Sequence, residues 1–303
     1  MHRNYDTVEE IWKEHELHTA KNEAVALKSV SKFRNLLALN LKVHSEQLNF
    51  FPSGRVALES LLSSLDRSQK KDVLVPAFNC SVVEQSIKNT GLNPVCFDFS
   101  PVTGLSDWET IKALINDNVV AIIITHFFGV PIDFTPLLEI CRQRNIAVIE
   151  DCAHCLGGLI GDQTTGTIGD AAIFSFNYDK PISLGWGGST LINNTQIFSS
   201  FSPPEIKEPT VQEEWQCLLK FLRWIKVRRQ LIRTPSSRLK YLYKPVLRSL
   251  GLDSFSLPKL SLGPIRAELG SRCLNEYQTT RTDRNTNAKF LASQTGAASW
   301  PVG

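Results

Sequence analysis

The run Phe174-Ser175-Phe176-Asn177-Tyr178-Asp179-Lys180, closed by Gly185-Trp186-Gly187-Gly188, places Lys180 a few residues beyond an apolar strand pattern. Upstream, Ala147-Val148-Ile149-Glu150 leads to Asp151, expected just outside the carboxyl end of another buried strand, and Cys152-Ala153-His154-Cys155 follows. A lysine amine so placed can form a Schiff base with an aldehyde and then serve as acid and base. A carboxylate at a strand end can hold a pyridinium nitrogen protonated, which turns a pyridoxal ring into an electron sink. Gly185, Gly187 and Gly188 add a sign of close backbone approach.

A third element is Ser53-Gly54-Arg55, ahead of Val56-Ala57-Leu58-Glu59-Ser60-Leu61-Leu62. Ser53 is a good N-cap, and the free amides and dipole of the helix start attract a phosphate. Ser175 can add a hydroxyl to that phosphate. Each residue also has an ordinary reading: Asp151 as a turn cap, Lys180 as solvated surface, Ser175 as strand filler. Their combination carries the functional one. Cys152, His154 and Cys155 resemble a metal or redox motif, but no second cysteine pair stands at ligand spacing, so no metal is expected. His154 is expected to face the same site as Asp151. His126, in Thr125-His126-Phe127-Phe128-Gly129, reads equally as a site residue or a structural histidine.

The elements that must position these groups alternate. Strands are expected at Val73 to Pro76, Pro94 to Phe99, Val119 to Thr125, Ile146 to Glu150, Ala171 to Phe176 and Ser189 to Ile192. Helices are expected at Ser81 to Thr90, Asp107 to Ile115 and Phe134 to Arg144. Strands too apolar to show one wet face imply an α/β fold, a mostly parallel sheet between helix layers, with ligands at the strands' carboxyl ends. Helical spacings also run from Thr7 to about Leu41, with Val8, Ile11 and Trp12 and then Leu27, Val30 and Phe33 on one face. Ser202-Pro203-Pro204 marks a boundary. Beyond it, Lys220 to Arg248 is a basic helical excursion without an acidic residue, Pro258 to Pro264 breaks it, and a helix from about Ile265 to Leu291 follows.

The 303 residues are 42% hydrophobic and 21% charged, with a net charge of +3, an ordinary globular composition that argues for no particular partner. No signal-peptide core or bilayer-length apolar run is found, and the seven cysteines read as reduced thiols, so a cytoplasmic location is expected. The basic excursion admits contact with a membrane surface, although amphipathic helices packed on the domain are favoured; nucleic acid is not expected, because no recognised module accompanies the charge.

The ordered motifs resemble those of the DegT/DnrJ/EryC1/StrS family of sugar aminotransferases. Ser53-Gly54-Arg55-Val56-Ala57-Leu58, Val75-Pro76-Ala77-Phe78, His126-Phe127-Phe128-Gly129, Asp151-Cys152-Ala153-His154, Gly166-Thr167-Ile168-Gly169-Asp170 and Ser175 through Lys180 to Gly187-Gly188 follow that family's order. The resemblance implies the pyridoxal-phosphate fold of aspartate aminotransferase. It implies that Lys180 binds the aldehyde of pyridoxal 5'-phosphate, Asp151 pairs with the ring nitrogen, and His154 lies near the ring hydroxyl. Gly54, Arg55 and Ser175 would hold the phosphate. It further implies a homodimer that moves an amino group from a donor such as glutamate to a nucleotide-linked keto sugar.

Three departures stand out. Arg55 replaces a threonine, and Cys80 stands where many members place the aromatic that covers the ring, leaving His126, Phe127 or Phe78 for that role. Only the beginning of the family's carboxy-terminal domain is recognisable, so residues 1–48 are expected to be amino-terminal helices, 49–201 the cofactor domain, 202–260 the basic excursion and 261–303 the start of a truncated domain. That shortening supports the alternative of a catalytically silent cofactor-binding or dimer-partner protein. A sugar dehydratase on the same scaffold would carry histidine in place of Lys180.

Overall fold

The segment Val119–Thr125 is buried along its whole length, as a strand covered on both faces must be. The computed structural model of the protein describes residues 23–66, 70–98, 108–233 and 258–295. In chain order the elements are α1 (Glu23–Leu41), β1 (Leu48–Phe51), α2 (Gly54–Ser63), β2 (Asp72–Pro76), α3 (Ser81–Asn89), β3 (Asn93–Phe97), α4 (Trp108–Leu114), β4 (Val119–Thr125) and α5 (Thr135–Gln143). They continue with β5 (Ala147–Asp151), the small hairpin β6 (Leu159–Ile160) and β7 (Gln163–Thr164), β8 (Ala171–Ser175), β9 (Gly188–Ile192), α6 (Val211–Arg233) and α7 (Pro264–Thr295).

Seven strands form one sheet in the order β1-β9-β8-β5-β4-β2-β3. Strands β8, β5, β4, β2 and β3 run parallel, whereas β9 is antiparallel to both of its neighbours. The expected α/β architecture is therefore present. Alternate side chains divide between the faces. Val73, Val75, Ala121, Ile123, Ala147, Ile149 and Ile173 pack with α2 and α3. Leu74, Ile122, Ile124 and Val148 pack with α4 and α5, while Ala172, Phe174 and Leu191 meet α1, α6 and α7. Burying each large aliphatic side chain contributes about 1.5–3 kcal/mol, so the sheet interior outweighs any single loop contact.

Two differences from the sequence reading have local causes. Leu48–Phe51 is a strand that the sequence reading did not include, because it pairs residue for residue with β9 from Leu48↔Leu191 to Phe51↔Gly188. Asp151 is the last residue of β5 rather than the first outside it, since its register partner in β8 is Ile173. The helix expected from Ile265 begins at Pro264, a residue well suited to the first helical turn. In α6, Phe221 is buried against Tyr178 and Trp186 while Lys220, Arg223 and Lys226 are exposed, as in a helix packed on the domain. No described helix is long and apolar enough to cross a membrane. The spacings at Val8, Ile11 and Trp12 and the basic stretch after Arg233 lie outside the described residues.

Candidate cofactor site

Ser53 adopts an extended conformation, and its Oγ accepts the Val56 amide at 3.3 Å, capping the start of the ten-residue α2. Pairing of β1 with β9 brings Gly187 beside Ser53 in an isolated bridge. A Cβ added at Gly188 would stand 2.5 Å from the Ser53 carbonyl carbon and 2.7 Å from Gly54 Cα, so the strand can touch the turn only because Gly188 has no side chain. Ser175, at the end of β8, lies on the other side of Gly54; a Cβ there would be 3.2 Å from Ser175 Cβ. Backbone and hydroxyl donors thus collect at one helix start.

Asp151 occupies the carboxyl end of β5 on the face that carries α2 and α3. It is buried, and its Oδ1 accepts the Ala153 amide at 3.0 Å. Burial pushes its carboxyl above the usual range, opposed by the Ala153 hydrogen bond and by the nearby basic side chains of His154, Lys180 and His126. The site disfavours an isolated carboxylate and would favour one paired with a cation.

Lys180 sits in a turn closed by its amide donating to Asn177 O at 3.0 Å, and only 15% of its side chain is exposed. Its Nζ lies 2.8 Å from His154 Nε2. Burial, followed by the charge of Lys180, holds the His154 imidazole below its ordinary value. A neutral imidazole at this distance can accept a hydrogen bond from Lys180 Nζ. The Phe128 ring stacks near His154 with centroids 6.2 Å apart.

Ser53, Gly54, Arg55, Asp151, His154, Ser175 and Lys180 all line one cavity of about 980 Å³, counting its open mouth. Every site residue expected from the sequence is thus brought together. Asn79, Cys80, Phe127 and Trp186 share the wall, and Asn79 Nδ2 donates to Thr125 Oγ1 at 3.0 Å.

His126 does not reach the cavity. It is fully buried; its Nδ1 accepts the Ile132 amide at 3.0 Å, so Nε2 carries the proton and donates to Glu150 Oε2 at 3.0 Å. This removes His126 as a cover for the ring. Phe78 is 61% exposed and is absent from the cavity wall, which leaves Phe127 of the three. Glu150 was missed by sequence reasoning, although an acid inside an apolar strand was a visible signal. Its Oε1 accepts the Ile168 and Gly169 amides at 2.8 and 2.7 Å, and Oε2 also accepts Gly166 N at 2.7 Å. His126, Glu150 and Cys152 place potential metal ligands within 4.8 Å of one another, but these hydrogen bonds already occupy the histidine and carboxylate lone pairs. The Cys-Ala-His-Cys run does not converge either: Cys152 and Cys155 are buried, with thiols pushed upward by burial, while His154 faces the cavity.

The fold is shared with solved structures of sugar-modifying enzymes. An aminotransferase of pseudoaminic acid biosynthesis from Helicobacter pylori superimposes with a TM-score of 0.63 at 17% identity, covering 87% of this chain and 62% of that one. A GDP-4-keto-6-deoxymannose-3-dehydratase with bound GDP-perosamine gives 0.62 at 18% identity, covering 89% and 66%. Residues 27–202, more than half of the chain, match the DegT/DnrJ/EryC1/StrS aminotransferase family, and the chain belongs to that family. Among its relatives, the GDP-perosamine synthase of Escherichia coli O157:H7 is 31% identical over 169 residues, a stretch covering 56% of this chain and 46% of that protein. The chain spans about half the length of the curated relatives it matches.

Proposed function

We propose that the chain is a pyridoxal-phosphate-dependent aminotransferase that moves an amino group, from glutamate, to a nucleotide-linked keto sugar in glycan or secondary-metabolite biosynthesis. It works as a homodimer in the cytoplasm. The observation that carries the reading is the meeting of Lys180 and His154 in a cavity bounded by Asp151 and the Ser53–Gly54 turn.

The residues present fit the cofactor. Asp151, whose burial disfavours a lone negative charge, is suited to a protonated ring nitrogen. The amides at the start of α2, the Ser175 hydroxyl and the Arg55 guanidinium are suited to a phosphate dianion. When bound, pyridoxal phosphate supplies the electron sink that allows a C–H bond beside the donor nitrogen to break. Asp151 would keep the ring nitrogen protonated. Lys180 Nζ would hold the cofactor through its aldehyde carbon, the aldehyde oxygen leaving as water, and as a freed amine could take a proton from one carbon and return it to another. His154 Nε2 could accept the proton that Nζ must shed before it acts as a nucleophile, and Phe127 would cover the ring in place of the aromatic replaced by Cys80.

We assign the holding of the cofactor to residues 49–201, with helices before and after them packing around that body. Lys180 separates this reading from a dehydratase, which the shared fold alone does not do. The test is amino transfer itself. Purified protein given pyridoxal phosphate, glutamate and a panel of nucleotide-linked keto sugars should yield 2-oxoglutarate and an amino sugar in equal amounts by mass spectrometry. A second reading is a silent cofactor-binding or dimer-partner protein. Cofactor uptake without turnover on any panel member would favour it.

A further inference from the structure

Two buried charges that the proposed chemistry does not use meet where α6 and α7 begin. Glu214, in the first turn of α6, and Arg266, in the first turn of α7, are both fully buried. Arg266 Nε donates to Glu214 Oε1 at 2.7 Å, and Glu214 Oε2 accepts the Ile265 amide at 2.7 Å. Gly263 is needed beside them, because a Cβ there would collide with the Glu214 carboxylate. Desolvating two charges costs about as much as their attraction returns, so stability alone is a weak reason for a pair in this place.

The rest of the guanidinium points to another role. One terminal nitrogen donates to Trp186 O at 3.1 Å and the other to Ser261 O at 2.6 Å, while Cζ lies over the Trp186 ring, 4.3 Å from its centroid. Trp186 lines the cavity, Gly187 is bridged to Ser53, and Gly188 presses on Gly54. Arg266 thus fixes the backbone of the loop that backs the helix start where anions are attracted. A planar fork with several donors can do this where a single ammonium cannot. Both Glu214 and Arg266 lie outside residues 27–202, the segment matched by the family.

We propose that Arg266, held by Glu214, is a positioning residue that presses the Trp186–Gly188 loop onto the Ser53–Gly54 turn, so that phosphate-end binding depends on the α6–α7 junction. This rests on reading the cavity as the cofactor site.

The full chain is compared with Arg266→Met/Glu214→Gln, which removes both charges together and leaves an amide oxygen to accept Ile265 N. Amide hydrogen exchange of the cofactor-free proteins is measured first. Exchange should quicken by roughly tenfold at residues 53–58 and 185–189 and stay unchanged at Ile122 and Ile123 in the sheet. Pyridoxal phosphate titration should show affinity weakened by roughly tenfold, by analogy with loss of groups that orient metal ligands. Unchanged exchange at residues 53–58, or a uniform rise that includes Ile122 and Ile123, overturns the proposal. Should the double variant fail to fold, Arg266→Lys keeps the charge but loses the fork. The same local quickening is expected there, and wild-type exchange contradicts it. A wild-type chain that takes up no pyridoxal phosphate refutes the cofactor reading, while the exchange comparison still decides the positioning role.

Discussion

Lys180 Nζ and His154 Nε2 stand 2.8 Å apart inside the cavity, so the amine proposed to bind the cofactor already rests on a neutral imidazole. Burial and the lysine charge depress the His154 pKa from 6.5. The neutral ring is therefore the form the folded protein favours, and its contribution is present above 6.5 and lost as pH falls through the lower folded value. Protonated His154 cannot accept from Lys180. The rate of cofactor uptake should accordingly fall on the acid side of 6.5, and His154→Asn should flatten that limb in a stopped-flow pH series.

Asp151 has the opposite sign. Its folded pKa is raised by burial, so the group contributes stability below its unfolded value near 3.8 that is lost as pH rises through the folded one. At neutral pH, where the unfolded chain ionises this carboxyl freely, its burial weighs against the cofactor-free fold. Asp151→Asn should leave the apo-protein melting at the same temperature or higher by calorimetry, while turnover drops by roughly two orders of magnitude or more through loss of the group that keeps the ring nitrogen protonated.

The strands β2 to β5, β8 and β9, the helices α3 to α5 between them and the gathering of Asp151, His154, Ser175 and Lys180 were legible because apolar runs and turn residues mark them directly. Leu48–Phe51 was not, since a four-residue strand beside a Pro-Ser-Gly turn has too little periodicity and is specified by its partner β9. His126 stayed ambiguous because burial depends on Ile132 and Glu150 folding over it. Arg266 was unreadable for a similar reason: its partners Glu214, Ser261 and Trp186 come together only in the fold, the last 80 residues away in sequence.

Glu150 receives three amides and the His126 ring, all buried except the half-buried Ile168 amide. Glu150→Ala orphans them together and should cost about 3–5 kcal/mol. A urea titration followed by circular dichroism would show the midpoint fall with an unchanged slope. A shift within error would mean that water replaces the carboxylate.

Gly188→Ala drives a methyl group into the Ser53–Gly54 backbone. Overpacking of this kind costs about 1–3 kcal/mol, and the strain falls on the turn proposed to hold phosphate. Calorimetry should record the loss of stability, and equilibrium dialysis should show weaker retention of pyridoxal phosphate than of the phosphate-free aldehyde relative to wild type.

The central claim is that Lys180 binds the cofactor's aldehyde. Purified protein is incubated with pyridoxal phosphate, reduced with borohydride, digested and mapped by mass spectrometry, with Lys180→Ala treated in parallel. The expected result is a visible absorbance band in the wild type that reduction removes, one pyridoxyl group on the peptide bearing Lys180, and neither signal in the variant. A wild type without the band, or a variant that keeps it, would contradict the account.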